Sequence, residues 1–405
     1  MSSTRQRCPT DTKLIAKTRS NVGQYFHFCT NYVLDAYLFV MSVVLGLTVY
    51  AALLWSLLLL GDKGHRRKAL TPSTGFLSLD EITVLIPFRN EEEQLPHLLA
   101  CIKSSQKLPK NIFFINDHSE DKSMEVFASI PTNFTFERFE LPTGTSGKKA
   151  ALRFGLQHVS TPYVLTLDAD VRFNSKYFLA LEQLPRADLW VLPVVLQAEN
   201  PLSAWQEVDV HVINAVNTGL YAFYRPVLCS GANLLFHRER YFEADDWDKH
   251  QHVSSGDDMF TLRAFRKAKN DIRLLSDQDL AVYTHTPKGI AEFLSQRLRW
   301  LGKTSKVNDA FAHAAALFQG VLSLLFMAWP IYLLLIGEAQ IAGLLWLGKS
   351  LIDLVAFAPH FLRYQRWYAW FLVPVFQSMV PVYYALLFGL SLFISPSWKG
   401  RKVAV

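Results

Sequence analysis

Two aspartates, Asp168 and Asp170, end the short apolar run "YVLTLDAD". In a strand, alternate residues face the same way, so their carboxylates can converge on one cation. Two hard oxygen ligands with open positions suit Mg2+ or Mn2+ shared with the phosphates of a substrate. Aspartate is also common in turns after strands. A second acid pair, Asp257 and Asp258, follows Gly256 at the start of a helical pattern in "SGDDMFTLRAFRKAK". Acids there complement the helix dipole, and a carboxylate is equally what removes a proton from a hydroxyl. "TGTSGKKA" has its glycines too close together for a Walker loop and Lys149 where the hydroxyl should be. A lysine at a helix start still holds phosphate, which makes Lys148 a contact candidate. Gly231 and Ala232 in "CSGANLLFH" leave room for a ligand to approach the backbone. His285 in "YTHTP" reads as an extra metal ligand or as an ordinary solvated or core histidine.

These groups need a scaffold. From about Ser78 to Lys306 the apolar period alternates: "EITVLIPF" and "NIFFIN" read as buried strands. "EEEQLPHLLACIKS", "SEDKSMEVFASI" and "SGKKAALRFGLQHV" read as helices, the first two opening on acids suited to a first turn. Repeated strand–helix units predict a mostly parallel α/β sheet covered on both faces. Ligands on such sheets bind at the carboxyl ends of the strands. Arg89 and Glu91 follow the first strand, Asp117 the second, and Asp168 and Asp170 a later one.

The rest of the chain is apolar. Of 405 residues half are hydrophobic, and the net charge is +6. Residues 36–60 carry no charge beyond the flanks and are long enough to cross a bilayer, which takes about 20 residues. The stretch reads as a retained anchor, since a signal peptide has a shorter apolar core and a cleavage site. Residues 311–394 hold about three further segments; in one, Lys349 and Asp353 stand one turn apart, where they can pair. Pro374 and Pro381 predict a kinked or re-entrant last segment. The division is therefore an N-terminal tail (1–35), an anchor (36–60), a polar domain (78–310), a C-terminal membrane region and a basic tail (395–405). The basic clusters beside the apolar runs favour contact with anionic lipid over a nucleic-acid groove. They also favour the polar domain on the cytoplasmic side, although three clean crossings after it would leave the basic tail outside. Four scattered cysteines form no CxxC pair, so neither a disulfide framework nor a zinc site is expected. "NFT" at Asn133 is a short sequon of little weight. "EFLSQRLRW" predicts an amphipathic helix at the headgroup level, where Trp300 would be an ordinary interfacial anchor.

Together, "TVLIPFRNEEEQL", "INDHSEDKS", "SGKKAALRFGL", "LTLDAD", "SGDDMF" and "QRLRW" resemble the membrane-bound family 2 glycosyltransferases, in that family's order. Ceramide glucosyltransferases and the cellulose, chitin and hyaluronan synthases belong there, and the last piece resembles the QxxRW signature. The resemblance implies a GT-A-type nucleotide-sugar-binding domain and an inverting, Mg2+- or Mn2+-dependent transfer from a nucleoside-diphosphate sugar. Carried over, Pro87, Arg89, Glu91, Asp117, Lys148 and Asp168 would line the donor pocket. Asp170 would hold the metal with Asp168, and Asp258 or Asp257 would be the base. Gln296 and Arg299 would close over the diphosphate, with Trp300 facing the acceptor beside Gly231 and Ala232. About four spans are few for a polymer channel. The implied acceptor is therefore a membrane-embedded lipid first and a polysaccharide chain second, with UDP the favoured carrier. A transporter or scaffold would explain the spans but not the strand-end acids, and a nucleotidyltransferase would release pyrophosphate.

Overall fold

The structure is a computed structural model. It describes residues 41–72, 75–129, 134–198, 200–247, 256–287, 289–307, 309–394, 397–398 and 401–402. The N-terminal tail, the start of the first apolar stretch, Cys8, Cys29, the Asn133 sequon and most of the basic tail lie outside the described residues. The chain divides into two units, Met1–Leu53 and Leu54–Val405. In the first, the described residues 41–53 are helical.

The second unit is built on a seven-stranded sheet in the order β3-β2-β1-β4-β7-β5-β8. Its strands are β1 (Ile82–Phe88), β2 (Asn111–Asn116), β3 (Glu137–Glu140), β4 (Tyr163–Leu167), β5 (Leu189–Val191), β7 (Asn233–His237) and β8 (Ile272–Leu274). Every pairing is parallel except the two made by β7. Strands β6 (Val194–Gln197) and β9 (Val282–His285) form a separate parallel pair. All seven β1 residues are buried, the continuous apolar run expected of a strand covered on both faces. This is the mostly parallel α/β layer that the strand–helix alternation predicts.

The helices α1 (Met41–Ala69), α2 (Leu95–Lys103), α3 (Ser123–Ser129) and α4 (Lys148–His158) come first. They are followed by α5 (Tyr177–Leu181), α6 (Pro201–Phe223), α7 (Arg238–Ala244), α8 (Asp257–Lys267) and α9 (Ile290–Val307). The C-terminal set is α10 (Ala310–Leu335), α11 (Ala339–Arg363), α12 (Trp367–Phe371) and α13 (Val373–Ser391). The acids of "EEEQL" do not form the first turn of α2, as the periodicity suggested. They make a preceding turn whose amides are claimed by the next loop: Glu91 N–H donates to Ser123 Oγ at 2.7 Å and Glu92 N–H to Asp121 Oδ2 at 3.0 Å.

Among the described residues, four helices, α1, α10, α11 and α13, are long and apolar enough to cross a membrane. Within α11, Lys349 and Asp353 pair at 2.5 Å as their spacing predicts. Pro374 falls in the first turn of α13, where its missing N–H costs nothing, and only Pro381 lies inside that helix.

Helix α6 was not apparent from the sequence. It opens with a capping box, Asn200 Oδ1 accepting from Ser203 N–H at 2.9 Å and Ser203 Oγ accepting from Asn200 N–H at 2.7 Å. It then buries Gln206, Glu207, Asp209 and His211. Glu207 receives two hydrogen bonds from Arg366, at 2.6 and 2.9 Å, and one from Tyr368 at 2.9 Å. Asp209 faces Arg297 of α9 at 3.3 Å and takes the hydroxyls of Tyr383 and Tyr384 of α13 at 3.1 and 3.0 Å. Helix α6 thus bolts the apolar helices to the sheet domain through buried charge. Its contact with the end of α1 is backbone-close. A Cβ at Gly61 would stand 2.7 Å from Gly219 Cα, and one at Gly219 would stand 2.5 Å from the Leu57 carbonyl oxygen.

Candidate active site

The chemistry-bearing residues collect at one edge of the sheet, beyond the carboxyl ends of β1, β2 and β4 and before the antiparallel β7. After β2, Asp117 donates its N–H to the Phe88 carbonyl at 2.9 Å, and its carboxylate accepts from Gly147 N–H at 2.9 Å. Gly147 caps α4 at φ 99°, a conformation that favours glycine. Asp117 is therefore a buried brace that fixes where α4 begins, and Lys148 is the first residue of that helix. Its ammonium pairs with the Asp168 carboxylate. Burial alone would depress the Lys148 pKa; Asp168 first, then Asp257 and Asp258, hold it above the ordinary lysine value.

Asp170 accepts a hydrogen bond from Thr284 Oγ1 of β9 at 3.1 Å. The register of β9 is set by an isolated bridge with Arg172, two backbone hydrogen bonds of 2.7 Å between Arg172 and Tyr283. His285 follows Thr284 on β9. Among the described residues, however, no three His, Cys, Asp or Glu side chains gather to hold an ion. Asp168 and Asp170, both half-buried, offer carboxylate oxygens that fit a hard cation whose remaining ligands are substrate oxygens and water.

Asp257 and Asp258 open α8 behind Gly256, which takes the left-handed conformation at φ 95°. Asp258 is buried; its Oδ2 accepts from Gly231 N–H at 3.2 Å and its Oδ1 from Met259 N–H at 2.8 Å. Asp257 is half-buried. Gly231 sits at the centre, held by the Thr166 hydroxyl, which donates to its carbonyl at 2.9 Å. A Cβ there would meet Asp257 Oδ2 at 2.9 Å, Lys148 Nζ at 3.4 Å and Asp258 Cβ at 3.6 Å. A side chain at this position would displace the Asp257 carboxylate. Ala232 is buried in the main core.

Helix α9 delivers the last cation. Burial lowers the Arg299 pKa, while Asp168, Asp258, Asp257 and Asp170, in that order, raise it. The charges of all four acids therefore act on this one guanidinium. Trp300 is half-buried, with the Arg297 guanidinium carbon 4.5 Å from its ring centre. Gln296 has a buried Oε1 that finds no hydrogen-bond partner among the described residues.

Other expected donor contacts sit deeper. Pro87 is inside β1, opposite Ile115. Arg89 is buried and spends its guanidinium on the loop after β2, donating to the Asp117 and His118 carbonyls at 2.8 and 2.5 Å and to Glu120 Oε1 at 2.8 Å. What Arg89 gives the site is the shape of that loop. Glu91 turns the chain into α2, its carbonyl accepting from Leu95 N–H at 2.9 Å. Thr284, Thr166 and Gly147 were not singled out as site residues from the sequence; they are small residues whose part is a few local hydrogen bonds.

A model of "Glycosyl transferase family group 2" matches residues 163–393, more than half of the chain. A second, "Glycosyl transferase family 2", matches residues 83–185. The chain is a family 2 glycosyltransferase. Among sequences, the glycosyltransferase is similar to the 4,4'-diaponeurosporenoate glycosyltransferase of Staphylococcus aureus (strain bovine RF122 / ET3-1). The two are 28% identical over 195 residues, 48% of this chain and 47% of the relative. The chain thus spans about half the length of the relatives it matches. Among solved structures, the mannosyltransferase PcManGT from Pyrobaculum calidifontis in complex with GDP-Man and Mn2+ is similar at TM-score 0.47 and 16% identity, over 87% of this chain and 98% of that one. The glucosyl-3-phosphoglycerate synthase of Mycobacterium tuberculosis with Mn2+ and UDP reaches TM-score 0.37 at 13% identity, over 56% and 85%.

Proposed function

We propose that this glycosyltransferase moves a sugar from a nucleoside-diphosphate donor, with UDP the favoured carrier, to a hydroxyl of a lipid-like acceptor in the membrane, with inversion at the anomeric carbon. The observation that carries the reading is the gathering of Asp257, Asp258 and the Lys148–Asp168 pair around Gly231, with Arg299 under the charge of these three acids and of Asp170. The diphosphate lies toward Lys148 and Arg299, cations held by burial among carboxylates and aimed where charge develops on the leaving group. Asp168 and Asp170 would hold Mg2+ or Mn2+, which when bound offsets charge on the diphosphate.

Asp258 is the base of this proposal. The Gly231 and Met259 amides orient its carboxylate at 3.2 and 2.8 Å. It removes the acceptor proton as the oxygen attacks the anomeric carbon opposite the departing diphosphate. One in-line displacement turns an α-linked donor into a β-linked product. Trp300, on the helix joining the site to the apolar segments, faces the acceptor. The relative named for 4,4'-diaponeurosporenoate, the four apolar helices and the buried α6–α9–α13 charge junction support an acceptor that arrives from the bilayer. The basic clusters beside the apolar runs support a catalytic domain on the cytoplasmic side.

The test is incubation of the purified protein with UDP- and GDP-sugars, total lipid extract and Mg2+ or Mn2+. A labelled glycolipid with equimolar nucleoside diphosphate is expected. A polymer ladder would replace the lipid acceptor with a glycan chain, and pyrophosphate release would replace transfer with nucleotidyl chemistry.

A further inference from the structure

Helix α6 ends in two exposed aromatics. Phe223, its last residue, and Tyr224, its cap, are 61% and 58% exposed. Contacts with two apolar helices fix their depth. The apolar run of α1 ends at Leu60, and its charged turns follow as "GDKGHRRKA". A Cβ at Gly64 would stand 3.4 Å from Ala222 Cβ. Ala222 therefore lies beside a point about 6 Å of helix past Leu60, which in a spanning α1 is headgroup depth. Lys68 then caps α6, its ammonium donating to the Tyr221 and Tyr224 carbonyls, each at 2.7 Å. From the other side Phe311, in the first turn of α10, meets the Tyr224 ring edge-on, 5.0 Å between centres. Large aromatics at that depth suit the boundary between lipid chains and water. The charges beside them do not cancel. Asp309 caps α10 and pairs with both Arg225, at 3.0 Å, and Arg266. The Arg225 guanidinium carbon lies 5.0 Å from the Tyr224 ring centre and 5.7 Å from that of Phe311. Lys68 is a third cation, and its hydrogen bonds go to neutral carbonyls. Three cations thus gather about one carboxylate, and the Nε donors of Arg225 and Arg266 find no acceptor among the described residues.

We propose that the end of α6, with Lys68 and Phe311, is a seat for an anionic phospholipid of the leaflet on the catalytic-domain side. Its phosphate lies toward Lys68 and Arg225, and its chains begin against Phe223 and Phe311. Charge complementarity selects the occupant: an excess of cations at headgroup depth favours an anionic headgroup over a zwitterionic one by about fivefold per cation. The aromatics select a lipid over a free anion, since a free phosphate has nothing to lay against exposed rings. The inference is independent of the sugar-transfer chemistry proposed above and rests only on α1 and α10 crossing a bilayer.

The experiment places the full chain in phosphatidylcholine nanodiscs with a trace of photoactivatable phosphatidylglycerol, or of a matched phosphatidylcholine probe, and maps the labelled peptides by mass spectrometry. Wild type is compared with Lys68→Gln, Lys68→Arg and the double variant Phe223→Ser/Tyr224→Ser, with thermal unfolding followed in each. The expected result is labelling of the peptides carrying residues 222–225 and 310–312, about tenfold stronger with the phosphatidylglycerol probe. Unlabelled phosphatidylglycerol removes it and inorganic phosphate does not. Labelling falls about fivefold in K68Q, returns in K68R, and falls at least as far in the double variant. Equal labelling by the two probes overturns the proposal, as does labelling spread evenly over the apolar helices. Displacement by inorganic phosphate would make this an ion site and overturns it too. So does a loss in K68R equal to that in K68Q, which would make shape rather than charge the cause. Should Lys68→Gln lower the unfolding temperature, the exposed double variant decides, and undiminished labelling there overturns the proposal.

Discussion

Asp257 and Asp258 are neighbours in sequence with different surroundings, so removing each charge gives a different outcome. Asp258→Asn removes the proposed base and is expected to cut turnover by roughly 10²- to 10⁴-fold with donor affinity nearly unchanged, as a group acting only in the transition state should. Asp257→Asn leaves the Asp258 amide contacts in place and is expected to cost less; single-turnover rates and donor binding for both variants check the ranking. Equal losses would make the pair a single unit. Gly231→Ala drives a methyl to 2.9 Å from Asp257 Oδ2, so turnover is expected to fall by an order of magnitude or more while thermal unfolding moves little. At this scale the sequence was informative. The strand-end rule and helix-start chemistry picked out Asp168, Asp170, Lys148, Asp257 and Asp258, because local periodicity fixes where strands end. It did not reveal that Arg89 holds the loop after β2, since its partners are carbonyls 28 and 29 residues away, contacts that no local pattern encodes.

Helices α6 and α9 are where elements, rather than single residues, decide the outcome. Arg297 and Asp209 are 4% and 2% exposed, a pair cut off from water. Asp209→Leu strands the arginine and is expected to cost about 3–5 kcal/mol, read as a loss of thermal stability in detergent. Replacing Arg297 and Asp209 together by apolar residues should be far milder than either alone. Gly219→Val is expected to push α6 off the end of α1 against the Leu57 carbonyl, with about 1–3 kcal/mol of destabilisation. The polar run of α6 was not legible as a buried element. Its glutamate is satisfied by Arg366, 159 positions away, and only tertiary packing turns acids that look solvent-facing into a core bolt. The amphipathic pattern of α9, by contrast, was visible beforehand, and its arginines divide between two tasks. Arg297 serves the junction with α6, while Arg299 faces the acids.

At the scale of the molecule, four helices among the described residues are suited to a bilayer, and α9 joins them to the acid-lined edge of the sheet domain. A protein so built is expected to remain in the membrane fraction through an alkaline carbonate wash and to need detergent for release; recovery in the wash would contradict the spans. The apolar stretches were plain in the sequence because a span must be continuously apolar. Their buried pairing, such as Lys349 with Asp353, was legible only because the partners sit one turn apart. The central claim is a single displacement at the acid ring onto a membrane acceptor. Its most direct test is the anomeric configuration of the lipid-extractable product made from an α-linked UDP-sugar, read by proton NMR coupling at the new linkage. The account predicts a β-linked glycolipid formed with one nucleoside diphosphate per sugar and lost in Asp258→Asn; an α-linked product, or one made equally well by that variant, would contradict it.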